Sequence, residues 1–376
     1  MSNNLRSLKL AILMVIFSSI SIPVNANTLS NNTEDLNSVA TYAAKLEQLN
    51  LPLSSVPATR QLERKIYAYV ARGGRSTERM LARMELYFPI FEQYLIESRL
   101  PNALKYLPIA ESLLESRAVS AASAAGLWQL MPGTARLYGL RVDGIVDERL
   151  DVHLSTQAAL KMLNELYADY GDWKLALAAY NCGPARVNRA IRQANSTDYE
   201  RIVNYLPRET RQYLSAYLAA AYTANFYGDH GLQPRLSNWN SYELGELTIY
   251  QQLRLRDAAE VVGMDYRDLS RLNPAFLRGY IPNNKKGYRL LVPAQSVYAL
   301  QRYVWQQDNL VEIPRQQEAK LAIELAAEQG FDAYRWLMGV STEVLVKYND
   351  LSFAEYAADQ LVLSAFREAQ RKAMHP

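Results

Sequence analysis

The amino-acid sequence predicts a mainly α protein with small mixed α/β modules in its C-terminal part. Apolar residues recur at helical spacing through long segments between Thr59 and Tyr227. After Pro234 the texture changes to short alternating runs set around short helical ones. An internal repeat marks that second part: Gly263-Met264 is followed by Leu269 and Asn273, and Gly339-Val340 by Leu345 and Asn349 at the same offsets.

Taken in order, the chain opens with Arg6 and Lys9, an apolar run from Leu10 to Ile22, and the small-residue site Val24-Asn25-Ala26. This is the pattern of a cleaved signal peptide over residues 1–26, with an uncleaved N-terminal anchor as the alternative. The apolar run is short for a membrane span and is closely followed by Pro23. No Cys lies near the cleavage site, which argues against a lipid anchor and predicts a soluble mature form. Residues 27–86 are expected to comprise a loosely ordered leader with one short helix, then helical segments carrying Leu62, Ile66, Tyr69, Val70, Met80, Met84, Leu86 and Tyr87, broken at Gly73-Gly74. Residues 87–230 read as an almost wholly helical domain, including Ser155 to Tyr170 and Tyr205 to Tyr227. A first small module over 231–296 carries the insertion Pro274 to Gly287 and ends in a strand-like piece, Tyr288 to Val292. A helical linker (297–328) and a second, degenerate module (329–376), ending in the strand-like Gln360 to Leu363, complete the chain.

Composition narrows the function. The formal net charge is +3, and two of the positive charges, Arg6 and Lys9, belong to the leader. The nearly neutral remainder lacks the concentrated cationic face that nucleic acid requires. Cys182 is the one cysteine, so no intramolecular disulfide can form. His153, His230 and His375 are far apart, no Cys or carboxylate cluster has metal-ligand spacing, and neither a metal nor an organic cofactor is implied.

The most informative residue is Glu111, set among Tyr106, Leu107, Pro108, Ile109, Ala110, Leu113 and Leu114 with no Lys or Arg until Arg117. On local sequence alone it also fits the wet face of an amphipathic helix. Desolvated, its pKa would rise and it would hold a proton near neutral pH, which a general acid requires. Four motifs follow in order: Glu111-Ser112 in a short helix ending near Ser116, Gly126-Leu127-Trp128-Gln129 after a small-residue loop, Ala179-Tyr180-Asn181, and Leu206-Pro207-Arg208-Glu209-Thr210-Arg211-Gln212-Tyr213.

Together these resemble the soluble lytic transglycosylase (SLT) family, within it the membrane-bound murein transglycosylase D type. The resemblance implies a lysozyme-like helical catalytic domain in the periplasm. It would act on peptidoglycan glycan strands, cleaving the β-1,4 bond between N-acetylmuramic acid and N-acetylglucosamine to a 1,6-anhydromuramoyl product. It implies Glu111 as the acid, Tyr213 as the tyrosine that orients it, and Ser120, Gln129, Tyr180 and Asn181 as substrate-binding residues. Each has a plainer reading, Tyr213 as a core tyrosine and Gln129 and Asn181 as satisfied polar neighbours. Ser112 would position the helix, Trp128 reads more readily as core than as a sugar platform, and Cys182 as a small filler. The excess of Tyr (26) over Phe (8) suits a carbohydrate cleft. Glu115 would share a face with Glu111 if the helix continued, but reads as a solvated or capping residue. The two repeats resemble LysM modules of βααβ form, for which the fold is better supported than sugar binding. Two rival functions stay open: a hydrolytic muramidase using Glu115, Asp143 or Asp147 to activate water, and a non-catalytic wall-binding scaffold.

Overall fold

A computed structural model describes residues 32–53, 55–235 and 244–309. The signal-peptide segment, most of the expected linker and the second module lie outside the described residues. The chain divides into two compact units, residues 1–240 and 241–376.

The first unit is helical. Helix α1 (Asn32–Glu47) buries Val39, Ala43 and Leu46. It is therefore a packed element rather than a loose leader. Its Tyr42 ring meets Tyr222 edge-on at 5.0 Å, and Lys45 pairs with Asp229 at 2.6 Å. Helix α2 (Arg60–Tyr67) starts where the Thr59 hydroxyl accepts from Leu62 N, and it buries Leu62 and Ile66 one turn apart. One π-helical turn, Ala68–Arg72, follows before α3 (Gly74–Glu97), whose buried face carries Met80, Leu81, Tyr87, Phe91 and Leu95.

Helix α4 (Leu107–Ser112) stops earlier than the expected end near Ser116, because Leu113 (φ 54°) and Leu114 (φ 58°) both turn left-handed. That backbone costs a non-glycine residue about 1–2 kcal/mol. Complete burial of Leu114 and a bond from the Arg83 guanidinium to Leu113 O (3.2 Å) sustain it. Helix α5 (Pro132–Leu137) is short, while α6 (Val152–Tyr170) and α7 (Trp173–Cys182) start at aspartate caps: Asp151 accepts from Leu154 N and Asp172 from Leu175 N. Helices α8 (Pro184–Ala194) and α9 (Tyr199–Ile202) lead to α10 (Arg208–Phe226). Pro207 is extended at ψ 148° and caps α10, so the helix begins later than Tyr205. Along α10, Tyr213, Leu214, Tyr217, Leu218, Ala219, Ala220, Ala221 and Tyr222 are all buried. The helix packs against α1, α2, α4 and α7, and it forms the spine of the unit.

The second unit has the order β1 (Leu244–Ile249), β2 (Leu253–Arg254), α11 (Leu255–Val262), α12 (Tyr266–Leu272), β3 (Tyr280–Ile281), β4 (Tyr288–Pro293) and α13 (Val297–Asn309). β1 and β4 are antiparallel, with Leu247 opposite Leu290 and Ile249 opposite Tyr288. The expected βααβ frame is present, and the insertion is structured: its β3 pairs with β2 as a second small sheet. Gly263 (φ 67°) ends α11, and the repeat's asparagine, Asn273, locks α12 to β4. Its buried amide donates to Leu269 O (3.0 Å) and Leu291 O (2.7 Å) and accepts from Leu291 N (2.7 Å). Helix α13, expected as a linker, instead packs on α11 and β1 through Val297, Leu300 and Val304.

Candidate active site

Glu111 sits in the last turn of α4, half-buried, and accepts a hydrogen bond from the Tyr213 hydroxyl of α10. Burial pushes its carboxyl up to about 7, the Tyr213 bond opposes the rise, and the negative charge of Glu209 adds to it. A carboxyl so placed exchanges a proton near neutral pH. The Tyr180 phenol is itself held neutral by burial and by the charge of Glu111. Its hydroxyl donates to Trp128 O at 2.7 Å, tying α7 to the Gly126–Gln129 turn. Tyr69, from the π turn, is likewise pushed up by burial and by Glu111.

The early end of α4 is built from local bonds. The Ser112 hydroxyl lies 2.9 Å from both Pro108 O and Leu127 O, so its one proton links the helix to the turn. That turn requires glycine. Gly126 has φ +80°, and a Cβ there would stand 2.0 Å from Arg149 O. Gln129, itself left-handed at φ 47°, donates through Nε2 to Gly126 O (2.8 Å) and Ala118 O (3.2 Å). Trp128 is fully buried, donates to Thr156 Oγ1 at 2.9 Å and meets Phe91 edge-on, which places it in the core.

The other expected site residues are also anchored. Asn181 Oδ1 accepts from the Thr210 hydroxyl at 2.8 Å, and the Ser120 hydroxyl accepts from Ala124 N at 3.0 Å. Of the six expected site residues, Glu111, Tyr213 and Tyr180 interact directly or electrostatically. Gln129 and Asn181 are joined to that group through the Trp128 turn and the first turn of α10, while Ser120 shapes the loop before the turn.

The rival carboxylates are engaged elsewhere. Glu115, off the helix, pairs with Arg83. Asp147 forms a buried pair with Arg149 (2.7 Å), whose guanidinium also donates to Ser123 O and Leu130 O and so pins the loop. Asp143 is held down to about 2 by bonds from Val146 N and Ile145 N and by Arg141. Sequence reasoning missed Glu209, the exposed carboxylate in the first turn of α10 whose charge reaches Glu111. Its signal was its place four residues before Tyr213, one helical turn away. Among the described residues no group of three or more His, Cys, Asp or Glu could hold a metal ion.

Residues 88–203 match the Transglycosylase SLT domain, and residues 243–304 match the family described as "Lytic transglycosylase MltD, LysM-like domain". Membrane-bound lytic murein transglycosylase D of Escherichia coli (strain K12) is 35% identical over 179 residues, covering 46% of this chain and 39% of that protein. Soluble lytic murein transglycosylase of the same strain is 29% identical over 163 residues, covering 41% of this chain and 25% of that protein. The chain thus spans well under half the length of these curated relatives. The solved 70 kDa soluble lytic transglycosylase from Escherichia coli aligns with a TM-score of 0.34 at 21% identity, covering 55% of this chain and 36% of that one.

Proposed function

We propose, from the premise that this chain joins an SLT domain to an MltD-type LysM-like domain, that it is a peptidoglycan lytic transglycosylase. The observation that carries the reading is the state of Glu111: half-buried, oriented by Tyr213, and poised to exchange a proton near pH 7. Protonated Glu111 donates to the oxygen leaving C1 of the N-acetylmuramoyl residue as positive charge grows on the ring. The carboxylate so formed then takes the proton of the C6 hydroxyl of that residue, whose oxygen closes on C1. The glycosidic C–O bond breaks, an intramolecular C–O bond forms, and no water is consumed. A tethered hydroxyl has a large entropic advantage over free water, so a single acid suffices.

Tyr213 keeps the carboxyl in one rotamer through the cycle. Tyr180 supplies an aromatic wall, and the free hydrogen-bonding capacity of Ser120, Gln129 and Asn181 faces the acetamido and hydroxyl groups of the glycan. Residues 1–26 direct export to the periplasm. No described helix is long and apolar enough to cross a membrane. The relative's name places that protein at a membrane, and association of this chain with the envelope follows by analogy.

The presence of Glu209 near Glu111 favours one rival, a hydrolytic muramidase in which a second carboxylate activates water. Mass spectrometry of digested sacculi decides between them, because the anhydro product is one water lighter than the reducing-end product. Glu111→Gln should fold and lose turnover by orders of magnitude. Full turnover in that variant refutes the acid. A wall-binding scaffold is indicated instead if Glu111→Gln leaves every cellular effect intact while deletion of 235–376 removes it.

A further inference from the structure

The helix that carries Glu111 ends in backbone that leucine adopts only under constraint, and part of that constraint comes from another helix. Leu113 and Leu114 are both left-handed (φ 54° and 58°), a region in which any side chain beyond glycine's is strained. Their amides turn back onto α4: Leu113 N donates to Ile109 O at 3.0 Å and Leu114 N to Pro108 O at 3.3 Å. Glu115 N then donates to Ser112 O at 3.0 Å. Glu111 lies inside this closed end, two residues before the first left-handed leucine.

The Arg83 guanidinium of α3 spans the same exit. Its Nη1 donates to Leu113 O at 3.2 Å, and its Nη2 pairs with the Glu115 carboxylate. A guanidinium is planar and its donors have fixed spacing, so one fork sets the direction of the Leu113 carbonyl against a side chain two residues later. One turn along α3, the buried Tyr87 phenol is hydrogen-bonded to the buried Ser116. Helix α3 thus holds the exit of α4 at two levels. The Glu115 side chain is 46% exposed, and a pair so open to water adds little to stability. What it adds is direction.

We propose that Arg83, anchored by Glu115, is a positioning residue for the acid: by fixing the left-handed exit of α4, it holds Glu111 where the Tyr213 hydroxyl reaches its carboxyl. Arg83 precedes residues 88–203, so the SLT-matched segment has its acid steadied from outside. This rests on the reading of Glu111 as the acid, but the geometry can be tested without turnover. The groups acting on the Glu111 charge are Tyr213 and Glu209 from α10, with Tyr180 from α7 and Tyr69 coupled to it, while Arg83 and Glu115 act on Tyr87.

Full-length protein carrying 13C-carboxyl glutamate is titrated by NMR, with the Glu111 resonance identified as the one missing in Glu111→Gln. The Tyr213 bond favours the carboxylate, so slack in the exit shows as a raised Glu111 midpoint. Arg83→Met keeps the apolar stem and removes the fork. It should raise the midpoint by roughly half a pH unit and lower kcat on purified peptidoglycan about tenfold at unchanged KM. The shift should vanish in the Tyr213→Phe background, which has no bond to lose, whereas a direct effect of the missing cation would survive there. Leu113→Gly removes the strain that the fork opposes, so adding it to Arg83→Met should return midpoint and kcat toward wild type.

An unchanged midpoint in Arg83→Met overturns the proposal, and so does an equal shift in the Tyr213→Phe background or no recovery with Leu113→Gly. Should Arg83→Met fail to fold, Glu115→Ala frees the fork from its anchor. Loss of that negative charge alone would lower the midpoint and slack raises it, so anything but a rise overturns the proposal. A midpoint that moves as expected in a protein whose wild type shows no turnover would instead sink the enzymatic reading and leave the role of Arg83 standing.

Discussion

The proton on Glu111 has a consequence for stability that is independent of catalysis. Folding raises this carboxyl from its ordinary 4.5 to about 7, chiefly by burial. The folded state therefore binds the proton more tightly than the unfolded chain. Below pH 4.5 both states are protonated and nothing is lost. Between pH 4.5 and 7 the unfolded chain ionises first, and folding becomes progressively less favourable. Above pH 7 the loss is complete. A rise of about 2.5 pH units, at about 1.4 kcal/mol each, puts it on the order of 3 kcal/mol, reduced by whatever water still reaches a half-buried group. Glu111→Gln removes the ionisation while keeping the shape. Urea unfolding of both proteins from pH 4 to 8 should show a variant that gains on the wild type as pH rises, by roughly 2–3 kcal/mol at pH 8 relative to pH 4. A difference between the two proteins that stays constant across that range refutes the buried acid, whatever the activity shows.

Tyr213→Phe deletes the bond that favours the carboxylate, so the Glu111 midpoint should rise above about 7 and the alkaline limb of kcat should move to higher pH; turnover below the limb should fall as the carboxyl loses its fixed orientation. Gly126→Ala forces a Cβ to 2.0 Å from Arg149 O at φ +80°. Thermal unfolding should register a loss of more than about 2 kcal/mol, with activity falling alongside because the turn bonded to Ser112 and Tyr180 moves. Asn273→Ala leaves Leu291 N without its side-chain partner and removes two further bonds, so the LysM-like unit should lose about 2–4 kcal/mol, read as earlier unfolding of that unit by hydrogen exchange.

The repeat pattern already pointed to Asn273 and Gly263, because a side chain that must close a helix onto a strand and a glycine that must turn left-handed tolerate few substitutes. The helical segments were also legible from apolar spacing, although of the four residues named within α3 only Met80 and Tyr87 are buried. What escaped was where helices stop against tertiary contacts. Continuation of α4 to Ser116 is what local propensity favours, and nothing in the residues themselves announces two left-handed leucines. The arginine that bonds Leu113 O is thirty residues away in sequence. Residues 27–55 read as loose because their composition is polar, yet α1 buries Val39, Ala43 and Leu46 and packs on α2 and α10. Asp147 reads as available chemistry until Arg149 is seen to take up its charge.

By itself the sequence determined which groups this protein has for chemistry: a carboxylic acid in an apolar run, a glycine-bearing turn, and a tyrosine placed one helical turn after Glu209. These are properties of residue type and spacing, which the chain carries before it folds. Only the tertiary structure decided which groups meet. Tyr213 is 102 residues from Glu111, Arg83 precedes the matched domain, and Glu115 falls to Arg83 because α4 ends at Ser112. The pKa of an acid depends on what surrounds it in space, and that surround is assembled from segments that no local pattern joins.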